Sequence, residues 1–104
     1  MQISNKLKAY IGFSIKSRNI LYGYESVIAS KRKIYLIFVD QALGENSEKK
    51  IQAYAAKNII PIYKTEEGLI SYLCGGKNVK CIGLTKAELA SAAVKELINI
   101  GGNN

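Results

Sequence analysis

The sequence predicts an α/β fold: a three-layer α/β/α sandwich around a small, four-stranded mixed sheet, built as one domain over residues 1–104. Three observations carry that expectation. Segments with helical spacing of apolar residues alternate with short β-rich runs, in the order α-β-α-β-α-β-α-β-α. The run Ile34-Tyr35-Leu36-Ile37-Phe38-Val39 is unbroken apolar, as a strand covered on both faces should be. The 104 residues give room for one domain and not for two, and no Pro-, Gly- or Ser-rich linker divides them.

Each element has its own warrant. Ser4 is placed to cap a first helix, with Leu7, Tyr10, Ile11 and Phe13 or Ile15 on its apolar side. Residues 19–23 read as a short strand closed by the turn residue Gly23, and residues 24–30 as one or two helical turns. Lys31-Arg32-Lys33 leads into the strand 34–39, which Asp40 ends. Residues 44–58 read as a helix with Ile51, Ala53, Tyr54 and Ala55 inward. Residues 59–63 read as another strand, and Pro61, which cannot donate to a ladder, suggests an edge or the strand's first position. Thr65 is placed to cap the next helix, with Glu66 and Glu67 in its first turn. Leu69, Ile70, Leu73 and Cys74 line that helix, and Gly75-Gly76 stops it. Residues 79–84 form the last strand. Thr85-Lys86-Ala87-Glu88 has capping-box spacing. The final helix follows, with Leu89, Ala90, Ala93, Val94, Leu97 and Ile98 inward and Gly101-Gly102 at its end.

Composition excludes whole classes of chemistry. There is no histidine, and Asp40 is the single aspartate. Ser-His-Asp and Cys-His arrangements and His-rich metal sites are therefore ruled out. Two cysteines, Cys74 and Cys81, make neither a disulfide framework nor a four-ligand zinc site. On apolar faces they read as reduced core thiols, and the expected compartment is the cytoplasm. No run approaches the roughly 18 apolar residues of a membrane span. No apolar stretch follows residues 1–6, so no signal peptide is expected.

Gly75-Gly76-Lys77-Asn78 fails as a phosphate loop. Ser71 stands where the Walker pattern has its first glycine, and Asn78 where it has Ser or Thr. The stretch follows a helix rather than a strand. Glu66 and Glu67 are adjacent and point apart on a helix. Asp40 has no acid or imidazole partner, which favours a turn or cap role. The expected protein is not an enzyme and has no cofactor, metal or small-molecule substrate.

Charge is uneven. Residues 1–39 hold Lys6, Lys8, Lys16, Arg18, Lys31, Arg32 and Lys33 against the single acid Glu25, a net +6 of the chain's +7. Such asymmetry favours an anionic partner on one face, RNA or DNA, over solubility alone. A membrane surface is disfavoured, since the basic residues do not share one amphipathic helix.

The ordered landmarks Leu21-Tyr22-Gly23, residues 34–40, residues 59–63 with Pro61, Ile70-Ser71-Tyr72-Leu73-Cys74-Gly75, and residues 79–84 followed by Thr85 span residues 6–98. Together they resemble the kink-turn-binding ribosomal protein family, the L-seven-Ae/L-thirty-e superfamily, and most nearly its small bacterial YlxQ-type members. The resemblance implies the same α/β/α sandwich and non-catalytic binding of structured RNA, as a ribosomal or ribosome-associated protein. It implies two RNA-contacting regions. One is the turn Gly23-Tyr24-Glu25-Ser26, and the other is the loop Gly75-Gly76-Lys77-Asn78-Val79. The family's Asn, Glu and Lys positions in the first region are held here by Glu25, Ser26 and Ala29.

The expected interface therefore joins Lys16, Arg18, Lys31, Arg32 and Lys33, neutralising phosphates, to those two regions, with Tyr24 as a stacking residue. The alternative on the same fold is a protein-interaction module. A basic surface beside Gly23 and Gly75 favours RNA, and an apolar one favours a protein partner.

Overall fold

The computed structural model describes residues 5–101, with side chains as far as Leu97. The elements are α1 (Asn5–Lys16), β1 (Ile20–Tyr22), α2 (Tyr24–Ala29), β2 (Leu36–Asp40), α3 (Glu45–Asn58), β3 (Ile62–Thr65), α4 (Leu69–Leu73), β4 (Cys81–Leu84) and α5 (Ala87–Gly101). Ser4, the side chain of Ile98 and Gly102 lie outside the described residues.

The sheet has the order β1-β4-β2-β3. β4 runs antiparallel to both β1 and β2, while β2 and β3 are parallel and joined by the α3 crossover. The sheet is mixed, β2 is interior and β3 is an edge. Period-two alternation splits the strands between two cores. Leu36 and Phe38 face Leu7 and Ile11 of α1, Ile70 and Leu73 of α4, and Ala90 and Ala93 of α5. Ile37 and Val39 face Val27 of α2 and Ile51 and Ala55 of α3. Helices therefore cover both faces, in the α/β/α arrangement. All of Leu36 to Asp40 are buried, but the strand differs from the expected 34–39: Ile34 and half-buried Tyr35 precede it, and Asp40 is drawn into it by pairing with Thr65.

One close approach fixes the second layer. A Cβ on Gly83 of β4 would stand 3.2 Å from Val27 Cγ2 and 3.3 Å from Ile34 Cγ2. A glycine there lets α2 settle directly on the sheet.

Several boundaries differ from those expected of the sequence, each for a physical reason. Ile59 and Ile60 are outside β3, because their amides bond the Ala56 and Ala55 carbonyls and close α3. Thr65 caps no helix: it ends β3 opposite Asp40, and its buried hydroxyl donates to the Val39 carbonyl at 3.4 Å. Glu66 and Glu67 therefore lie in the turn before α4, whose first turn holds no acid. Thr85 directs its hydroxyl to Asn19 Oδ1 at 3.4 Å and lies before α5, so it does not close a capping box with Glu88. Ala53 is exposed. On α1 it is Ser14 that is buried, its hydroxyl donating to the Tyr10 carbonyl at 2.9 Å, while Phe13 is 55% exposed. No helix among the described residues is long and apolar enough to cross a membrane.

Candidate functional site

Strand direction decides where the expected site residues fall. β1, β2 and β3 point the same way and β4 points back. The Gly23 turn after β1 and the loop 75–80 before β4 therefore share one end of the sheet. Arg18 before β1, residues 31–33 before β2, and Thr85 and Lys86 after β4 share the opposite end. Lys16, in the last turn of α1, lies with Arg18. The single interface expected from the sequence is thus two surfaces, a strand's length apart.

At the first end the turn and the loop meet in a cleft of about 400 Å³, lined by Tyr22, Gly23, Lys77, Asn78, Val79 and Lys80. Gly23 sits at φ 88° and donates its amide to the Cys81 carbonyl at 2.7 Å, locking the turn against β4. The chain leaves α4 through Gly75 (φ 72°) and Gly76 (φ 92°), left-handed conformations that favour glycine. The Gly76 amide returns to the Ser71 carbonyl at 2.8 Å. Ser71 also clasps the far side of the loop: its hydroxyl accepts from the Val79 amide at 3.2 Å and donates to the Val79 carbonyl at 3.1 Å.

This geometry corrects three expected roles. Val79 is a core residue, 7% exposed, and only a sliver of it reaches the cleft wall. The amides of Gly23, Gly75, Gly76 and Val79 are all spent on the protein itself and are not offered to a ligand. Tyr24 is half-buried against the α2–α3 core. Glu25 and Ser26 are exposed on the first turn of α2, beside the cleft.

Residues that sequence reasoning missed complete the site. Tyr22 lies in the cleft wall with Lys77 Nζ 4.5 Å from its ring centroid, a cation–π contact that holds the ammonium at the mouth. Burial raises the Tyr22 phenol above its ordinary 10.0, with a smaller contribution from neighbouring Cys74, so the ring is neutral. Lys80 adds a second cation. The signal for Tyr22 was its period-two partnership with buried Ile20. Ser71 carried none, because its bond depends on the loop's path.

Neither thiol is a nucleophile here. Burial pushes Cys74 up to about 11, offset in part by Lys77, and Cys81 up to about 12. Asp40 has the expected turn role: it is 2% exposed and accepts from the Ala42 amide at 2.7 Å and the Gly68 amide at 2.9 Å. Among the described residues, no group of His, Cys, Asp and Glu could hold a metal ion.

At the opposite end, Arg32 is a brace. Its guanidinium donates to the Arg18 carbonyl at 2.9 Å and to Asn19 Oδ1 at 2.8 Å, tying the approach to β2 onto the approach to β1. This holds Lys31 and Lys33 beside Arg18. Lys33 Nζ lies 5.2 Å from the Tyr35 ring centroid.

No family model and no curated protein matches this sequence. Solved structures do. A protein of unknown function from Bacillus halodurans is similar over 90% of this chain and 98% of its own, with a TM-score of 0.81 at 18% sequence identity. The likeness is one of fold: a second, very different sequence builds the same layers.

Proposed function

We propose that this chain binds structured RNA without catalysis, as a ribosomal or ribosome-associated protein acting in the cytoplasm. One observation carries the reading. The Gly23 turn and the 75–80 loop, distant in sequence, converge on one cleft whose lining offers Lys77, Lys80, Asn78 and the Tyr22 ring and no carboxylate. Two of these group types meet RNA directly, ammonium groups for phosphates and an amide side chain for base edges or ribose, and the Tyr22 ring holds the Lys77 ammonium in place.

The resemblance to kink-turn binders implies RNA contact at these same two regions. Glu25 and Ser26 stand where that family has Asn and Glu, so recognition here runs through the loop rather than through a grip on a particular base pair. A protein partner would need exposed apolar surface at the cleft. Among the described residues, the large exposed apolar side chains are Phe13, Ile59 and Tyr72, and none lines it. The cleft holds two lysines, but no histidine or carboxylate that could pair with them as an acid–base couple.

Ultraviolet crosslinking to ribosomal RNA, read by peptide mass spectrometry, tests the assignment. Adducts should fall on Tyr22 and on Lys77 or Lys80. Adducts confined to α3, or none at all, would remove it.

A further inference from the structure

The end of the sheet away from the cleft concentrates more charge than the cleft does. Residues 16–19, 30–35 and 85–88 bring together Lys16, Arg18, Lys31, Arg32, Lys33 and Lys86, with Glu88 as their one acid. Glu88 is already occupied by Lys86 at 3.6 Å. Beside them, α1 and the start of α5 frame a groove of about 520 Å³ lined by Phe13, Lys16, Ser17, Lys86, Glu88 and Leu89. Phe13 belongs to neither hydrophobic core and is 55% exposed, an open aromatic face amid ammonium groups.

We infer that this end is a second RNA contact, one that takes an unpaired, single-stranded stretch, with a base stacked on Phe13 and phosphates on Lys16, Arg18, Lys31 and Lys33. The inference rests on the RNA-binding reading of the cleft and adds a separate surface to it. The occupant follows from complementarity. A bare cationic surface suits any polyanion, and a bare apolar groove suits a protein. An exposed ring within a cluster of cations suits a strand whose bases are free to stack, which a closed duplex does not offer. Arg32 keeps the lysines in place rather than meeting phosphate, since its guanidinium is committed to Arg18 and Asn19. The molecule measures 30 × 27 × 26 Å, so an RNA using both ends has its folded part at the cleft and a tail running along one side.

The probe is a ribosomal RNA hairpin with or without an oligouridine tail, its affinity read by fluorescence anisotropy over a salt series. The tail should tighten binding to the native chain. Phe13→Ala should remove that gain, about five-fold or more, and leave the tailless hairpin unaffected. Phe13→Tyr should restore the gain. Lys31→Ala with Lys33→Ala should make the salt slope for the tailed RNA shallower by about 1.4, two single-strand phosphate contacts. Because Phe13 is exposed, its variants retain the fold, which circular dichroism verifies. If the tail adds nothing while the hairpin binds, or Phe13→Ala keeps the gain, the second contact is refuted and the cleft stands. The second contact is refuted equally if an acidic peptide binds at Phe13 while the tail does not, which would make the groove a protein-docking site. If neither RNA binds the native chain, the cleft reading falls first and this inference with it.

Discussion

Ile37 lies in β2, fully buried in the cluster with Val27 and Ile51 of the helical layer and paired to β3 and β4 on its flanks. Ile37→Ala leaves a cavity that the interior strand cannot collapse, and should cost about 2–5 kcal/mol by urea denaturation. A loss well under about 1 kcal/mol would contradict the interior position. Asp40 performs a different task. Its two oxygens each take an amide from a separate turn, so Asp40→Ala should lose about 2–3 kcal/mol and loosen both turns together. Hydrogen exchange at the Ala42 and Gly68 amides checks it, and unchanged protection there would oppose the assignment. The thiols set a pH dependence. Both bind their proton more tightly folded than at the ordinary value of 9.0, so their contribution is whole below about pH 9 and is lost as pH climbs toward 11 and 12. Stability should fall over that alkaline range. Cys74→Ala with Cys81→Ala should lower stability at neutral pH yet leave RNA affinity intact, and lost affinity in a folded double variant would give a thiol a binding role.

At the level of elements, the legible features were those set by local chemistry. The β2 run, the Gly75-Gly76 helix stop and the Gly23 turn each depend on residue types adjacent in sequence; the stop and the turn are where the sequence puts them, and β2 is shifted to Leu36–Asp40 within and just past its apolar run. The illegible features depended on distant partners. Thr65 has a capping side chain, but pairing with Asp40 drew it into β3. Phe13 has apolar spacing nearly as good as that of Ile15. The buried stripe of Leu7, Ile11 and Ser14 left it outside, and only Ile15 packs against the core. The fit of α2 to the sheet was equally hidden, because nothing local shows that Gly83 faces Val27 and Ile34. Gly83→Ala forces those side chains aside and should cost about 1–3 kcal/mol. A variant as stable as the native chain, by thermal unfolding, would mean that α2 yields without cost.

Over the whole molecule, topology decides which charges share a surface. The +6 of residues 1–39 looks like one basic face when read along the chain. Because β4 runs against its neighbours, Lys16, Arg18 and residues 31–33 go to one end of the sheet, and the turn and loop of the cleft go to the other. Periodicity reports which face of the sheet a residue occupies, but not which end two strands share. Tyr22 and Lys80 meet in the cleft wall because the end of β1 abuts the start of β4, a juxtaposition that no local pattern announces.

The central claim is that the cleft grips RNA through Lys77 and Lys80. The most direct measurement is the affinity of a ribosomal RNA hairpin, over a salt series, for three proteins: the native chain, Lys77→Ala with Lys80→Ala, and Lys49→Ala with Lys50→Ala on α3. Each neutralised phosphate adds about −0.7 to −0.9 to the log–log slope, so the cleft variant should be weaker, with a slope shallower by about 1.4–1.8. The α3 variant, whose lysines lie outside both surfaces, should match the native chain. Equal weakening of the two variants, or a cleft variant indistinguishable from the native chain, would contradict the account.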